Sequence, residues 1–407
     1  MRTKYAAVSA HCAGPRITAM LAALTLSLCG AAAGARDLHR ADGWHFFRPG
    51  DRGGVVYVMS NDAARNSILV FARDQYGRLH ALPRATTATG GRGGGDNAAI
   101  DPLGSQGALQ YDDATQMLFA VNAGDNTVTA FDTGVRGPGL QRRALVASGG
   151  YIPVSLAVSR NMLYVLNAGG TGSVATFQIG PHGDLQQVGA LDLGLPPSAT
   201  SIPFAQVPAP NQLIVDALAR HLIIAHAGAQ ELLTVALNDD GIPAGALVST
   251  PTPGVAPFAL QVTPFGSTLV AEAGSGSVSA FDPPVSGMPL TVTAAAVGTG
   301  QAATCWLVAT DYGFAYSSNT GSDTLSLFGY SRTGKLELLD AVAATPGGAP
   351  IDLTLANHGG FLYTLDAASG QISGFAVDRD SGALTAVQTQ GGLPAAAGLQ
   401  GIAARDF

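Results

Sequence analysis

Short apolar runs separated by Asn- and Gly-rich turns recur along the chain from Val55 onward. The clearest unit spans residues 162–177 and reads MLYVLNAGGTGSVATF. β-branched and aromatic residues flank its turn, and Asn and Gly are the residues that best tolerate the positive φ of a tight hairpin. The pattern therefore predicts a β-hairpin at this point of the chain.

The same hairpin pattern occurs seven times, and each copy ends on a large apolar residue. These residues are Phe71, Phe131, Phe177, Val235, Phe281, Phe328 and Phe375. Consecutive members are 60, 46, 58, 46, 47 and 47 residues apart. A period near 46 residues is typical of propeller blades or solenoid turns, so one repetitive domain is favoured over two or three separate ones.

Further apolar runs flank the hairpins, so that a full unit contains four strands, A to D. The first unit lacks strand A, whereas residues 399–404 (LQGIAA) resemble a strand A with no hairpin after it. The simplest arrangement is an all-β, seven-bladed β-propeller over residues 55–407, with four-stranded blades and a ring closed by the C-terminal strand. This closure would remove two exposed sheet edges.

The predicted fold also indicates where function lies. Strand A of each blade lines the central channel, and the B–C turns and D–A connections share one face, the top face. Two D–A connections are long, residues 86–104 and 192–210. Because long irregular loops in a compact domain are usually functional or mobile, we expect both over the mouth of the channel.

The first 35 residues have the pattern of a secretory signal peptide. Arg2, Lys4 and Arg16 precede an apolar run, residues 17–28, and small residues ending at Ala35 follow. The run is short for a membrane span, and no later segment is long enough. An alternative is a lipoprotein acylated at Cys29, although bulky Leu28 does not suit it. Residues 1–35 thus predict a periplasmic or secreted protein, and residues 36–54 an N-terminal linker.

Charge and cysteine content narrow the choice of partners. The net charge is −7 and becomes −10 once residues 1–35 are removed, and no basic patch follows them, which argues against nucleic acid. Cys305 is then the one remaining cysteine, so no intramolecular disulfide can form. We expect a monomer that acts on a small molecule.

Four segments resemble the lactonase-type seven-bladed propellers. They are YVLNAG (residues 164–169), GGRGGG (residues 90–95), TGQAATCW (residues 299–306) and AEAGSGSVSAF (residues 271–281). That family includes bacterial 6-phosphogluconolactonases and fungal carboxymuconate-lactonizing enzymes, and it overlaps the YVTN-repeat propellers. The resemblance implies a hydrolase that opens, or an enzyme that forms, the ring of a small lactone or carboxylated sugar-like ligand. The export signal, the lack of a His-x-His cluster and the scarcity of Arg argue against a phosphorylated sugar lactone.

The predicted B–C turns place one polar residue per blade on the top face. The set is Asn61, Asn122, Asn167, His226, Glu272, Asn319 and Asp366. Asn and Asp at such positions usually hydrogen-bond their own turn. His226 and Glu272 are not preferred turn residues, so they are the candidate acid–base catalysts of a lactonase. Arg92 is a candidate ligand for a substrate carboxylate or an oxyanion, and Asn122, Asn167, Asn319 and Asp366 are candidate substrate contacts.

A second set shares one slot at the start of strand A, near the expected channel mouth. Its polar or aromatic members are Ser155, Gln212, Trp306 and Asp352. A Trp at a position such as Trp306 is more often a core residue than a ligand platform. Asp352 is an acid at a mostly apolar position and so needs a hydrogen-bond partner. Gln212, Trp306 and Asp352 complete the predicted substrate-binding set.

The sequence indicates no cofactor. No His/Cys spacing suggests zinc, and residues 90–95 lack the strand-to-helix context of a dinucleotide site. A calcium site built from Glu272, Asp366 and the Asn residues rests on analogy alone. The rival to the enzyme hypothesis is a non-catalytic propeller that binds a ligand, glycan or protein. Convergence of Glu272 and His226 in a pocket would favour the enzyme.

Overall fold

The computed structural model describes residues 53–95, 100–134, 139–204 and 209–407. The predicted signal peptide and nearly all of the predicted linker lie outside these residues, so both stay predictions. The described chain forms seven antiparallel sheets arranged as blades in a ring, which confirms the predicted seven-bladed propeller.

Each blade has four main strands, and strand A is the innermost. Blades 1 to 4 contain β1 (Gly54–Met59), β2 (Ser67–Arg73), β3 (Leu79–Ala81), β4 (Thr87–Ala88), β5 (Leu109–Asp112), β6 (Met117–Asn122), β7 (Thr127–Asp132), β8 (Gln141–Ala147), β9 (Pro153–Ser159), β10 (Met162–Asn167), β11 (Ser173–Ile179), β12 (Leu185–Asp192), β13 (Pro210–Val215), β14 (His221–His226), β15 (Glu231–Ala236) and β16 (Val248–Pro251). Blades 5 to 7 contain β17 (Pro257–Val262), β18 (Thr268–Glu272), β19 (Ser277–Phe281), β20 (Val292–Gly298), β21 (Thr304–Ala309), β22 (Phe314–Asn319), β23 (Thr324–Tyr330), β24 (Leu336–Ala344), β25 (Pro350–Ala356), β26 (Phe361–Asp366), β27 (Gln371–Val377) and β28 (Leu384–Gln390). The last strand, β29 (Ile402–Asp406), belongs to blade 1. Two 3₁₀ turns, Pro83–Ala85 and Ala227–Ala229, complete the described elements.

The repeated hairpin builds the core between the blades. All seven of the large residues that end the hairpins are 6% exposed or less. The B strands are covered on both faces, as in β6, where Met117 to Asn122 are all buried. The outermost strands are mostly exposed, as in β8. The hydrophobic repeat in the sequence is therefore the repeat of the packing surface between neighbouring blades.

The C-terminal strand closes the ring as predicted. β29 pairs antiparallel with β1, with Val58 opposite Ile402 and Gly54 opposite Asp406. The Arg73 guanidinium, whose side chain is 1% exposed, donates to Asp406 Oδ1 at 2.7 Å. Blade 1 is thus assembled from both ends of the propeller.

Among the described residues, no helix is long and apolar enough to cross a membrane.

Candidate active site

The polar residues that end the B strands lie inside the blades. All are 2% exposed or less. Asn319 is representative: its Nδ2 donates to Thr324 Oγ1 at 3.1 Å and Ser326 Oγ at 2.8 Å, and its Oδ1 accepts from Thr304 Oγ1 at 2.7 Å. These bonds tie strands A, B and C together at the top face, which is a structural role. The predicted substrate contacts of this set stay predictions.

The other Asn and Asp members are held in related ways. Asn122 Nδ2 donates to Thr127 Oγ1 at 3.0 Å and Thr129 Oγ1 at 2.9 Å. Asn167 Nδ2 donates to the Ser148 carbonyl at 3.2 Å. Asp366 accepts from the Gly347 N–H at 3.0 Å, and also from Thr364 and Ser373 hydroxyls. Burial raises the pKa of Asp366 to about 6 despite these donors.

Glu272 occupies the same slot and has a full set of donors. Its Oε1 accepts from the Gly254 N–H and from Ser279 Oγ, both at 2.8 Å. Its Oε2 accepts from Ser277 Oγ at 2.6 Å. A Cβ at Gly254 would lie 2.1 Å from Oε2, so glycine is required beside the carboxylate. The arrangement favours a structural role for Glu272.

His226 lies in the adjacent blade with a different partner. Its Nδ1 is 2.9 Å from Glu231 Oε1, and the other Glu231 oxygen accepts from Ser249. Since an ionised carboxylate only accepts, Nδ1 is the donor in this pair. The structure does not bring Glu272 and His226 into hydrogen-bond contact with each other. Their catalytic roles stay predictions.

Replacing Glu272 by Gln tests which role it has. The amide would present its NH₂ group to at least one of three donors, so we expect the free energy of unfolding to fall by about 1–3 kcal/mol. In the folded fraction, we expect kcat/KM for any substrate to be unchanged. Denaturant unfolding measures the free energy of unfolding, and steady-state kinetics measure kcat/KM. Glu337→Gln, at an exposed position, is the matched control. Lost turnover at unchanged stability would instead establish Glu272 as a catalyst.

The Gly-rich segment, residues 90–95, is packed between the B–C turns of blades 1 and 2. A Cβ at Gly93 would lie 2.1 Å from the Asn61 backbone, and one at Gly91 would lie 2.5 Å from Asn122 Cγ. The glycines are therefore needed for close backbone approach. The exposed Arg92 side chain donates to the Gly124 carbonyl at 3.1 Å. Arg92 thus lies on the top face and is bound to the neighbouring turn.

The connection from blade 1 to blade 2, which contains the Gly-rich segment, ends inside the channel. Its residues 104–107 form a plug there. Gln106 reaches from blade 2 to blade 6, where its Nε2 donates to the Leu307 carbonyl at 2.9 Å and its Oε1 accepts from the Leu307 N–H at 3.0 Å. Trp306 Nε1 and Gln400 Nε2 both donate to the Ser105 carbonyl, at 3.0 and 2.8 Å. Trp306 is therefore an anchor of the plug.

The slot residues of strand A lie at β-bulges, as Trp306 and Asp352 do, or directly after the bulged residue, as Ser155 and Gln212 do. In blades 3 to 7, the pairing of strand A with strand B shifts near the start of strand A. The Gln212 side chain uses this position to accept from the Leu260 N–H of the next blade at 2.6 Å. A bulge leaves one residue without a partner and re-aims its side chain. Both side chains are thus bound within the protein, that of Gln212 to the next blade and that of Trp306 to the plug.

Asp352 is the bulged residue of blade 7. It is skipped between the pairs of Ile351 and Leu353 and has a φ of 52°, a conformation that Asp tolerates better than most residues. Its Oδ1 accepts from the Leu353 N–H at 2.9 Å and its Oδ2 from the Ile402 N–H at 3.3 Å. The carboxyl, 3% exposed, therefore lies at the seam where β29 closes the ring.

A second carboxyl, that of Asp101, shares this region. Burial raises the pKa of Asp352 to about 7, and the charge of Asp101 adds to the effect. Burial also raises the pKa of Asp101 to about 7, although part of that residue's surface reaches solvent and the Gly104 N–H donates to it. Burial and Asp101 also raise the pKa of the Cys305 thiol, which therefore stays protonated at neutral pH.

A cavity of about 250 Å³ extends along the A strands from the plug. Its polar lining includes Gln106, Gln110, Gln261, Asp352 and Thr354. Gln110, Gln261 and Thr354 are partly exposed and lie toward the A–B turns, so the cavity opens to the face opposite the top face, the bottom face. The sequence prediction placed the site at the top of the channel. Of these five residues, it named Asp352 alone.

The repeated pattern of strand A could have identified three of the cavity residues that the sequence prediction did not name. Gln110, Gln261 and Thr354 each follow the Leu that recurs in strand A. Strand alternation puts that position on the channel side. Among the described residues, the side chains of Gln110 and Thr354 have no protein hydrogen-bond partner, so both are available to a ligand.

No group of three or more His, Cys, Asp or Glu that could hold a metal ion occurs in the described ranges, and the predicted lack of a cofactor stays a prediction.

Comparison with known proteins gives a family and several similar folds. A family model described as lactonase, seven-bladed β-propeller, matches residues 97–398. No curated protein sequence matches the chain. The periplasmic gluconolactonase of Pseudomonas aeruginosa is 19% identical with a TM-score of 0.65, over 84% of this chain and 98% of that one. A candidate 6-phosphogluconolactonase from Bacteroides fragilis is 16% identical with a TM-score of 0.67, over 88% and 98%. At these identities, the two structures show a shared fold.

Proposed function

Because the chain belongs to the lactonase family of seven-bladed β-propellers, we propose that it hydrolyses a small lactone in the channel cavity. One observation carries the choice of site. Asp352, a carboxyl with a pKa of about 7, lies at the plug end of a cavity that is open on the bottom face. A group whose pKa lies near the working pH is well suited to general acid–base catalysis.

The proposed reaction uses residues of this chain alone. As a carboxylate, Asp352 accepts a proton from water, and the oxygen of that water attacks the carbonyl carbon of the lactone. The Gln110 amide and the Thr354 hydroxyl donate to the oxyanion that forms. The ring C–O bond then breaks, and the Asp352 carboxyl returns the proton to the departing alkoxide. The product is an open-chain hydroxy acid.

The lining of the cavity favours a neutral, hydroxylated lactone. Its described lining contains amides and hydroxyls but no Lys or Arg to bind a phosphate. The acidic pair would also repel an anionic ligand. At about 250 Å³, the cavity is just below the usual range of about 300–1,000 Å³ for ligand sites, so a single small ring is the fitting size.

A cavity-filling substitution tests the location of the site. Ala404 lines the cavity on β29, and Ala404→Phe would occupy the space of the substrate ring. We expect turnover of unphosphorylated sugar lactones, measured above spontaneous hydrolysis, to fall at least tenfold. The matched control is Ala295→Phe, at an exposed position on the outermost strand of blade 5, which should behave as wild type.

Two outcomes would contradict the proposal. If wild-type protein accelerates the hydrolysis of no lactone in a panel with and without phosphate, the propeller is a binding scaffold. If Ala404→Phe retains full turnover and a normal melting temperature, the reaction occurs elsewhere, and Glu272, His226 and Arg92 at the top face become the next candidates.

A further inference from the structure

Three side chains away from the channel form a hydrogen-bonded series between blades 4 and 5. Asp216 Oδ2 is 3.2 Å from His221 Nδ1, and His221 Nε2 is 2.8 Å from Ser286 Oγ. Asp216 belongs to the turn between β13 and β14, His221 begins β14, and Ser286 lies between β19 and β20. All three are on the bottom side of their blades. The order of contacts is acid, imidazole, hydroxyl.

The contacts define which atoms carry protons. Asp216 Oδ1 accepts from the backbone N–H groups of Arg220 and His221, at 2.6 and 2.9 Å, which orients the carboxylate. Its Oδ2 can only accept, so His221 Nδ1 is the donor to it. In a neutral imidazole, Nε2 is then the acceptor, and Ser286 donates its hydroxyl proton to it. This is the ground state of a Ser–His–Asp triad.

The exposure of the three residues also fits a triad, in which the acid and the imidazole are buried and the hydroxyl is accessible to substrate. Asp216 and His221 are 7% and 5% exposed, whereas Ser286 is exposed. The equivalent first position of strand B is apolar in blades 2, 3, 6 and 7, where Met117, Met162, Phe314 and Phe361 occupy it. The buried histidine is thus a departure of blade 4 from the blade pattern.

The serine lies in a tight turn with an open side. The Met288 N–H donates to the Val285 carbonyl at 3.0 Å, which places Ser286 and Gly287 at the corner of the turn. Gly287 has a φ of 75°, which favours glycine. A Cβ there would meet no atom within 4 Å, and within the described residues no acceptor is bound to the Gly287 N–H. That N–H is therefore available to an oxyanion formed beside Ser286.

A cavity of about 260 Å³ adjoins the triad. His221, Val285 and Gly287 line it together with small apolar side chains, among them Ala244, Ala246 and Val248. Since the residues on either side of Ser286 line the cavity, its hydroxyl lies at the edge. The apolar lining suits an aliphatic acyl chain of a few carbons.

From this geometry we infer that Asp216, His221 and Ser286 form a second hydrolytic site, specific for short-chain aliphatic esters. Ser286 Oγ attacks the ester carbonyl carbon while His221 Nε2 takes the hydroxyl proton. The ester C–O bond breaks, and His221 gives that proton to the departing alcohol. Water then attacks the acyl-serine carbonyl carbon while His221 Nε2 takes its proton, the bond between that carbon and Ser286 Oγ breaks, and His221 returns the proton to Ser286 Oγ as the carboxylic acid leaves.

The test uses the full chain, an alkyl fluorophosphonate and a p-nitrophenyl butyrate assay. We expect mass spectrometry to locate one phosphonyl group on Ser286. Ester hydrolysis should fall at least 100-fold in Ser286→Ala and in His221→Gln, since loss of any triad member removes most of the catalysis. Ser381→Ala is the matched control, because Ser381 is exposed and donates to the Asp378 carboxylate but has no imidazole partner.

The outcomes separate this site from the channel. Ser286→Ala should retain lactone turnover, because Ser286 lies outside the cavity of the channel. Labelling of other serines only, or labelling of Ser286 at the same rate in a folded His221→Gln variant, would overturn the inference. So would ester hydrolysis that Ser286→Ala leaves intact. Melting temperatures establish that each variant is folded.

Discussion

Deletion of residues 398–407 is expected to open the ring and to yield protein that aggregates or lacks a cooperative melting transition. The deletion removes β29 and exposes the edge of β1, which pairs with it over five residues. It also removes Leu399 and Ile402, which are 0% and 4% exposed. The deletion also removes the Asp406 carboxylate, the ion-pair partner of Arg73, whose side chain is 1% exposed, and this loss destabilises blade 1 further.

Calorimetry and size-exclusion chromatography of the truncated protein check this expectation. Phe407→Ala is the control, since that side chain is 52% exposed and the variant keeps the backbone N–H that donates to the Gly53 carbonyl. We expect its melting temperature to stay close to the wild-type value. A truncated protein that is monomeric and melts like wild type would show that the ring does not depend on β29.

The second large effect is expected from Asp352→Asn. If Asp352 is the base, kcat/KM for lactone hydrolysis should fall by about 10²–10⁴-fold, the usual contribution of a general base. Asparagine is close in size, and its carbonyl can still accept from the Leu353 N–H. Its amide group would face the Ile402 N–H in place of an acceptor, so a lower melting temperature is expected as well.

The pH profile separates the catalytic from the structural effect. A base must be deprotonated, so wild-type kcat/KM should rise with pH and level off above about 7, the pKa of Asp352. Because the Asp101 charge raises that pKa, Asp101→Asn should move the rise to lower pH. In Asp352→Asn, the residual rate should lack this rise. A wild-type profile that is flat between pH 5 and 8 would contradict the assignment.

The number of blades and the order of their strands can be predicted from the sequence because both depend on short-range features. Asn and Gly mark each turn, and a large apolar residue such as Phe177 ends each hairpin at a regular interval. The missing first strand A and the orphan strand near Ile402 together predict the closure. Local turn chemistry and a packing period need no knowledge of distant residues, so these predictions agree with the structure.

The candidate site depends on contacts between distant parts of the chain. The slot alignment made His226 and Glu272 conspicuous, but their burial and their donors appear only when the blade is assembled. The sequence identifies Asp352, in a strand, as an acid in need of a partner, whereas Asp101, whose charge acts on it, lies in a connection more than 200 residues earlier in the chain. Strand alternation alone cannot show which polar residues share a cavity.

The sequence by itself thus determined the number of blades, the strand order and the closure, since repeated local signals encode them. The tertiary structure alone decided where the chemistry lies. Gln106 reaches across the channel to Leu307, 201 residues away, and His221 meets Ser286 of the next blade. Burial and partner geometry, which set the pKa of Asp352 and the alignment of the triad, arise only when the ring brings these segments together.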